Sequence, residues 1–153
     1  MRAPRAASPA VRRSMRANGP RDTGPELALR RALRAGGVHG YRVDLRRVGA
    51  WRVPGRPDVA FVRERLAVFV HGCFWHRCPV CAKPLPKKDA AFWAEKFGSN
   101  MGRDARVRME LEAAGWTVLT FWEHELETAG GVERAVSIVR CYRERCRWGN
   151  MDR

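Results

Sequence analysis

Residues 57 to 72 read PDVAFVRERLAVFVHG. Two apolar, β-branched runs flank the charged tripeptide Arg63-Glu64-Arg65, and runs of this length between turn signals predict a buried β-hairpin. A hairpin apolar along its whole length needs cover on both faces, and the flanking sequence supplies helices. Upstream, Thr23 can cap a helix with Pro25 and Glu26 in its first turn, and ELALRRALRA keeps apolar residues at helical spacing until Gly36-Gly37, which predicts a helix over about 24–35. Downstream, Phe92, Trp93, Phe97, Met101, Val107 and Leu111 fit one long helix over 89–114, with Gly98 or Gly102 as places to bend and Gly115 as its stop. WTVLTFW at 116–122 predicts a strand. Residues 131–147 predict a last amphipathic helix carrying Val136, Val139, Cys141 and Tyr142. YRVD at 41–44 alternates as a short strand, whereas LRRVGAWRVPGR has turn residues and no clear period. The order α, β, β, β, α, β, α predicts an α/β fold with one sheet and helices packed on it.

A chain of 153 residues fits one domain, and 45% hydrophobic composition supports a core. Thirty Lys and Arg against sixteen Asp and Glu leave a formal charge of +14, more than solubility requires, which points to a polyanionic partner. Trp and Phe scattered among the cations favour nucleic acid over a membrane surface, and no apolar run approaches a bilayer span. The acid-free start MRAPRAASPAVRRSMRANGPR reads as a basic DNA-contacting arm over residues 1–20, ahead of one domain over 21–148.

The hairpin also frames chemistry. A reversal centred on Glu64 sets residue 58 opposite residue 70, so the Asp58 carboxylate, the Val70 carbonyl and the His71 side chain converge at the open end. Mg²⁺ takes oxygen ligands and often binds one or two carboxylates plus substrate phosphates, which suits this end. Alternatively Asp58 caps a turn after Pro57. His76 and, on the first helix, Glu26 favour the catalytic reading.

Cys73, Cys78 and Cys81 give C-x4-C-x2-C within HGCFWHRCPVC. Three thiols so close beside histidine, in a chain with five cysteines, read as zinc ligands in a reducing cytosol rather than as a disulfide framework. Cys141 and Cys146 read as a core residue and an incidental surface thiol.

RDTGPE at 21–26, GRPDVAF at 55–61, VFVHGCFWH at 68–76, FWAEKF with Asn100, Arg103 and Asp104, and GWTVLTFWE at 115–123 together resemble the very-short-patch repair (Vsr) mismatch endonucleases, in order from about residue 11 to 125. The resemblance implies a restriction-endonuclease-like fold of the PD-(D/E)xK kind, with a mixed sheet flanked by helices and a structural zinc knuckle. It implies Mg²⁺-dependent nicking of double-stranded DNA 5′ to the thymine of a T:G mismatch, the lesion left when 5-methylcytosine deaminates. Asp58 then corresponds to the metal-binding aspartate, Val70 to the carbonyl ligand, His76 to the general base, His71 to the histidine near the scissile phosphate and Glu26 to a supporting carboxylate. His124 becomes the fourth zinc ligand beside Cys73, Cys78 and Cys81. Phe74, Trp75 and Trp93 become aromatics that insert beside the mismatch, with Met15 of the arm entering from the other groove. A cytoplasmic, nucleoid-associated monomer is the implied setting. Two other classes share parts of this pattern: a zinc module that binds DNA without cutting it, and a related nuclease without mismatch preference.

Overall fold

A computed structural model describes residues 21–149, without the side chains of 146–149; the basic arm, Met15 and the Cys146 side chain lie outside the described residues. Helix α1 spans Gly24–Ala35, with Pro25 and Glu26 in its first turn and Arg34 in its last. Thr23 occupies the N-cap, but its hydroxyl makes no capping bond to the backbone; it donates instead to Glu26 Oε1 at 2.8 Å.

The predicted hairpin is present as β3 (Val59–Phe61) and β4 (Leu66–His71), preceded by a two-stranded ribbon, β1 (Arg47–Val48) and β2 (Trp51–Arg52). Helix α2 (Ala90–Ala113) runs unbroken through Gly98 and Gly102, and leads to β5 (Thr117–Trp122), the five-residue α3 (Glu123–Glu127) and α4 (Gly131–Gly149). Strand order in the main sheet is β3-β4-β5, with β3 antiparallel and β5 parallel to the central β4. The parallel pairing needs a long crossover, and α2 provides it.

The two faces of the sheet carry separate cores. Val59, Phe61, Leu66 and Val68 point to a cluster completed by Leu29 and Leu33 of α1 and Val136 and Val139 of α4. Ala60 and Ala67 alternate to the other face, where Leu111, Trp116 and Val118 pack with the ribbon residues Val48 and Trp51. The result is a mixed α/β sandwich with helices on both sides of the sheet.

Four expectations need correction. First, the hairpin register is Val59↔Val68, Ala60↔Ala67 and Phe61↔Leu66, because the reversal is an even, four-residue turn over 62–65 rather than one centred on Glu64. Continued by one pair, it sets Asp58 opposite Phe69, not Val70. Second, residues 41–44 contribute one bridge, Arg42↔Ala60, while the segment without a clear period forms the ribbon. Third, Met101 is 48% exposed, and within α2 the buried positions are Phe97, Asn100 and Leu111. Fourth, Cys141 is exposed and is not a core residue.

Candidate active site and metal centre

The register correction changes how Asp58 meets β4. Residues two apart in a strand share a face, so Asp58 lies on the side of Phe69 and, diagonally, His71, while Val70 packs on the opposite face. Val70 reaches the carboxylate through its backbone: its N–H donates to Asp58 Oδ2 at 2.7 Å. In a strand the N–H and C=O of one residue point the same way, so the Val70 carbonyl faces that edge as well. Burial pushes the Asp58 carboxyl up to about 7, opposed by the Val70 N–H and reinforced by the negative charge of Glu26. A desolvated carboxyl of this kind, with one oxygen already engaged, fits a divalent cation that would hold it ionised.

His71 ends β4, and its ring stacks on His76 with centroids 4.0 Å apart and planes 13° from parallel. Trp122, paired with His71 across β4 and β5, sets its edge against the same ring at 5.5 Å. Burial, then the neighbouring His76, pushes His71 down to about 4; the imidazole is neutral at physiological pH. His76 sits on the tight turn after β4, where its N–H donates to the Gly72 carbonyl. Its Nδ1 is hydrogen-bonded to Asp104 Oδ2 of α2, and since a carboxylate only accepts, Nδ1 carries a proton, so in the neutral ring Nε2 is the nitrogen with the free lone pair. Asn100, one helical turn before Asp104, is buried and donates to the Trp75 carbonyl at 3.0 Å. The two α2 side chains grip the same loop.

Asp104 was not assigned a role from the sequence, although it stood among the residues carrying the resemblance. Its signal was the i, i+4 spacing from Asn100, which puts two polar side chains on one face of a helix otherwise read by its apolar period. His71, His76 and Asp104 hold donor atoms within 4.8 Å of one another, a group that does not include Asp58. All of them line one cleft with Glu26. The Glu26 carboxylate is committed locally: Oε2 accepts the Asp22 N–H at 2.9 Å, Oε1 accepts the Thr23 hydroxyl, and Arg30 lies 3.8 Å away.

Cys73, Cys78, Cys81 and His124 form a second convergent set, with donor atoms within 4.8 Å of one another. Cys73 Sγ is 3.2 Å and Cys78 Sγ 3.6 Å from His124 Nδ1. Tetrahedral zinc with Zn–S of about 2.3 Å and Zn–N of about 2.0 Å has S···N edges of about 3.5 Å, so these separations fit zinc. The Cys81 N–H points at Cys78 Sγ at 3.5 Å. Between the two sets, Glu123 of α3 accepts the Cys73 N–H at 3.0 Å.

Phe74, Trp75 and Trp93 line the cleft and touch pairwise: Phe74 meets Trp75 at 5.1 Å and Trp93 at 5.8 Å, and the two tryptophans lie 6.0 Å apart. The buried ring of Phe97 supports Phe74 at 5.2 Å and Trp93 at 5.6 Å. The cleft encloses about 1890 Å³, well beyond the roughly 300–1,000 Å³ of small-molecule pockets.

Comparison with known proteins agrees with this arrangement. The family model "DNA mismatch endonuclease Vsr" matches residues 7–82. The type II nicking enzyme V.XorIIP of Xanthomonas oryzae pv. oryzae is 40% identical over 113 residues, covering 74% of this chain and 79% of that protein. V.NaeI of Lentzea aerocolonigenes, also a type II nicking enzyme, is 44% identical over 74% of this chain and 67% of its own length. The DNA mismatch endonuclease Vsr of Escherichia coli K12 is 38% identical over 72% of this chain and 67% of its own length.

Proposed function

The chain belongs to the Vsr family of DNA mismatch endonucleases and is a DNA endonuclease, and on that premise we propose that it nicks one strand of double-stranded DNA 5′ to the thymine of a T:G mismatch, by Mg²⁺-dependent hydrolysis, to begin very-short-patch repair. The observation that carries the reading is the oriented pair His76–Asp104 beside a half-buried, desolvated Asp58 in one cleft.

Asp58 and the Val70 carbonyl are the residues that would hold Mg²⁺, which supplies charge stabilisation at the phosphoryl oxygens when bound. His76 is the general base: Asp104 fixes its tautomer, so Nε2 takes the proton from water as it attacks phosphorus. His71 stays neutral through that step, so the positive charge arriving on the stacked partner meets no second cation. Its remaining N–H can donate to a phosphate oxygen. Glu26, whose oxygens are taken by the α1 N-terminus, acts through its field on Asp58 and is a supporting carboxylate. A restriction-endonuclease-like scaffold is part of this reading, supported by a mixed, helix-flanked sheet with Asp58 just ahead of the β3–β4 hairpin.

Zinc held by Cys73, Cys78, Cys81 and His124 would be structural, because four protein donors leave no open position. These four residues would then anchor the loop bearing Phe74 and Trp75. These two and Trp93 form the wedge, which unstacks a base step at a cost of a few kcal/mol that is smaller at a mismatch. Met15 and the 1–20 arm would act from the opposite groove. The protein works as a monomer in the cytoplasm, at the nucleoid. Among the described residues no helix is long and apolar enough to cross a membrane.

The decisive assay incubates T:G, T:A and C:G duplexes of one sequence with and without Mg²⁺. Nicking confined to T:G with Mg²⁺ is expected. Equal nicking of all three would replace this reading by a nuclease without mismatch preference, and an Asp58→Ala variant as fast as wild type would end the assignment of the site.

A further inference from the structure

The β1–β2 ribbon has no part in the chemistry above, yet its charges are arranged at a cost. Val48 and Trp51 face inward, with Trp51 5.9 Å from Trp116, so the ribbon is seated on the protein. Arg47 and Arg52 form the directly opposed pair on the outer face. The Val53 N–H donates to the Arg46 carbonyl at 2.9 Å, marking 46 and 53 as a hydrogen-bonded pair; pairs alternate along an antiparallel ladder, so Arg47 and Arg52 are the non-hydrogen-bonded type, in which opposed side chains come closest. Like charges in that position destabilise a ribbon. Among the described residues neither has an acidic partner.

The same imbalance continues along the rim. Asp44 accepts two hydrogen bonds from Arg56, at 2.7 and 2.9 Å, and also pairs with Arg46 at 3.1 Å and Arg21 at 3.2 Å. One carboxylate thus gathers three guanidinium groups, which leaves the cluster net positive. Arg52, Arg46 and Arg56 border the cleft that holds Asp58 and His71. Opposed, unpaired arginines beside a cleft too large for a small ligand are complementary to a row of phosphates.

We propose that the ribbon is a DNA-backbone contact: Arg47 and Arg52 grip phosphates of the duplex next to the cleft, and the anion relieves a repulsion the free protein tolerates. The inference rests on DNA being the substrate, not on mismatch preference or Mg²⁺ dependence. Contacts to phosphate position a protein without reading sequence, so the ribbon sets affinity and register while selectivity stays elsewhere.

The test measures binding of full-length protein to matched and T:G duplexes across salt concentrations, in Ca²⁺ without Mg²⁺, for wild type, R47Q/R52Q and R47K/R52K. The glutamine double variant is expected to lower the slope of log affinity against log salt by about 2, one per lost contact, equally on both duplexes. Its melting temperature without DNA is expected at or above wild type, since the opposed charges are gone. The lysine variant is expected to keep the wild-type slope. An unchanged slope in R47Q/R52Q, or a change confined to T:G DNA, overturns the proposal. Should the double variant fold poorly, R52Q alone is read by the same slope, with a drop of about 1 expected. Because no cleavage is scored and matched DNA suffices, a protein that fails to nick T:G duplexes can still pass, and one that nicks them can still fail.

Discussion

Asp104 holds His76, the proposed base, and its loss separates orientation from binding. Asp104→Asn keeps the side-chain size but loses the charge, and its amide can turn an NH2 toward Nδ1 and favour the wrong tautomer; general-base catalysis of this kind is worth about 100–10,000-fold. We expect kcat to fall by that range in steady-state nicking, with KM little changed. Asp58 gives a prediction on stability. Its carboxyl is raised in the folded protein, so the folded state binds a proton that the unfolded state has already released. That contribution is complete below the unfolded value of about 4 and is lost as pH rises through about 7. In metal-free buffer, urea midpoints should show Asp58→Asn equal to wild type near pH 4 and more stable, by on the order of a few kcal/mol, above pH 7. His71 runs the other way: its lowered value makes it a stabilising neutral group above about 6.5 whose contribution fades toward about 4. Both variants retain His71, so the comparison isolates Asp58.

Helix α2 carries two tasks on one rod. Trp93 lies near its start, among aromatics, and Asn100 and Asp104 hold the loop of Trp75 and His76 farther along. Since Phe97 lies beneath Trp93, Trp93→Ala leaves the core mostly intact. It should cost about 1 kcal/mol in thermal unfolding yet lower the T:G over T:A nicking ratio about tenfold, within the 1–3 kcal/mol that stacking on a base returns. Equal nicking ratios would place Trp93 among the supporting core aromatics. The elements that sequence reading located (α1, the hairpin, α2, β5 and α4) are those whose apolar repeat is long enough to register. The ribbon escaped because two-residue strands have no measurable period and half of its residues are arginine. The hairpin register slipped because turn parity leaves no mark in an apolar run. At the site, the cysteine set was legible from local spacing, whereas His76–Asp104 joins a loop to a helix 28 positions away, a pairing that no local pattern contains.

At the scale of the molecule, a charge of +14 and a basic rim around the cleft predict steep salt dependence. With six or more phosphates contacted, affinity should fall about a thousandfold between about 50 and 200 mM salt, and a flat titration would contradict a DNA-bound cleft. The end of β5 joins the two donor sets. Trp122 leans on His71, Glu123 ties the Cys73 N–H, and His124 closes the thiol set, three successive residues serving three neighbouring functions. Withdrawing the proposed zinc would therefore loosen the ground under His71 and His76 without touching them. With the two proposed ions in place, a chelator should silence the enzyme on two clocks: at once and reversibly, as Mg²⁺ leaves the cleft that Asp58 lines, then slowly, in a phase that Mg²⁺ alone no longer rescues and whose time course follows zinc release to a colorimetric dye.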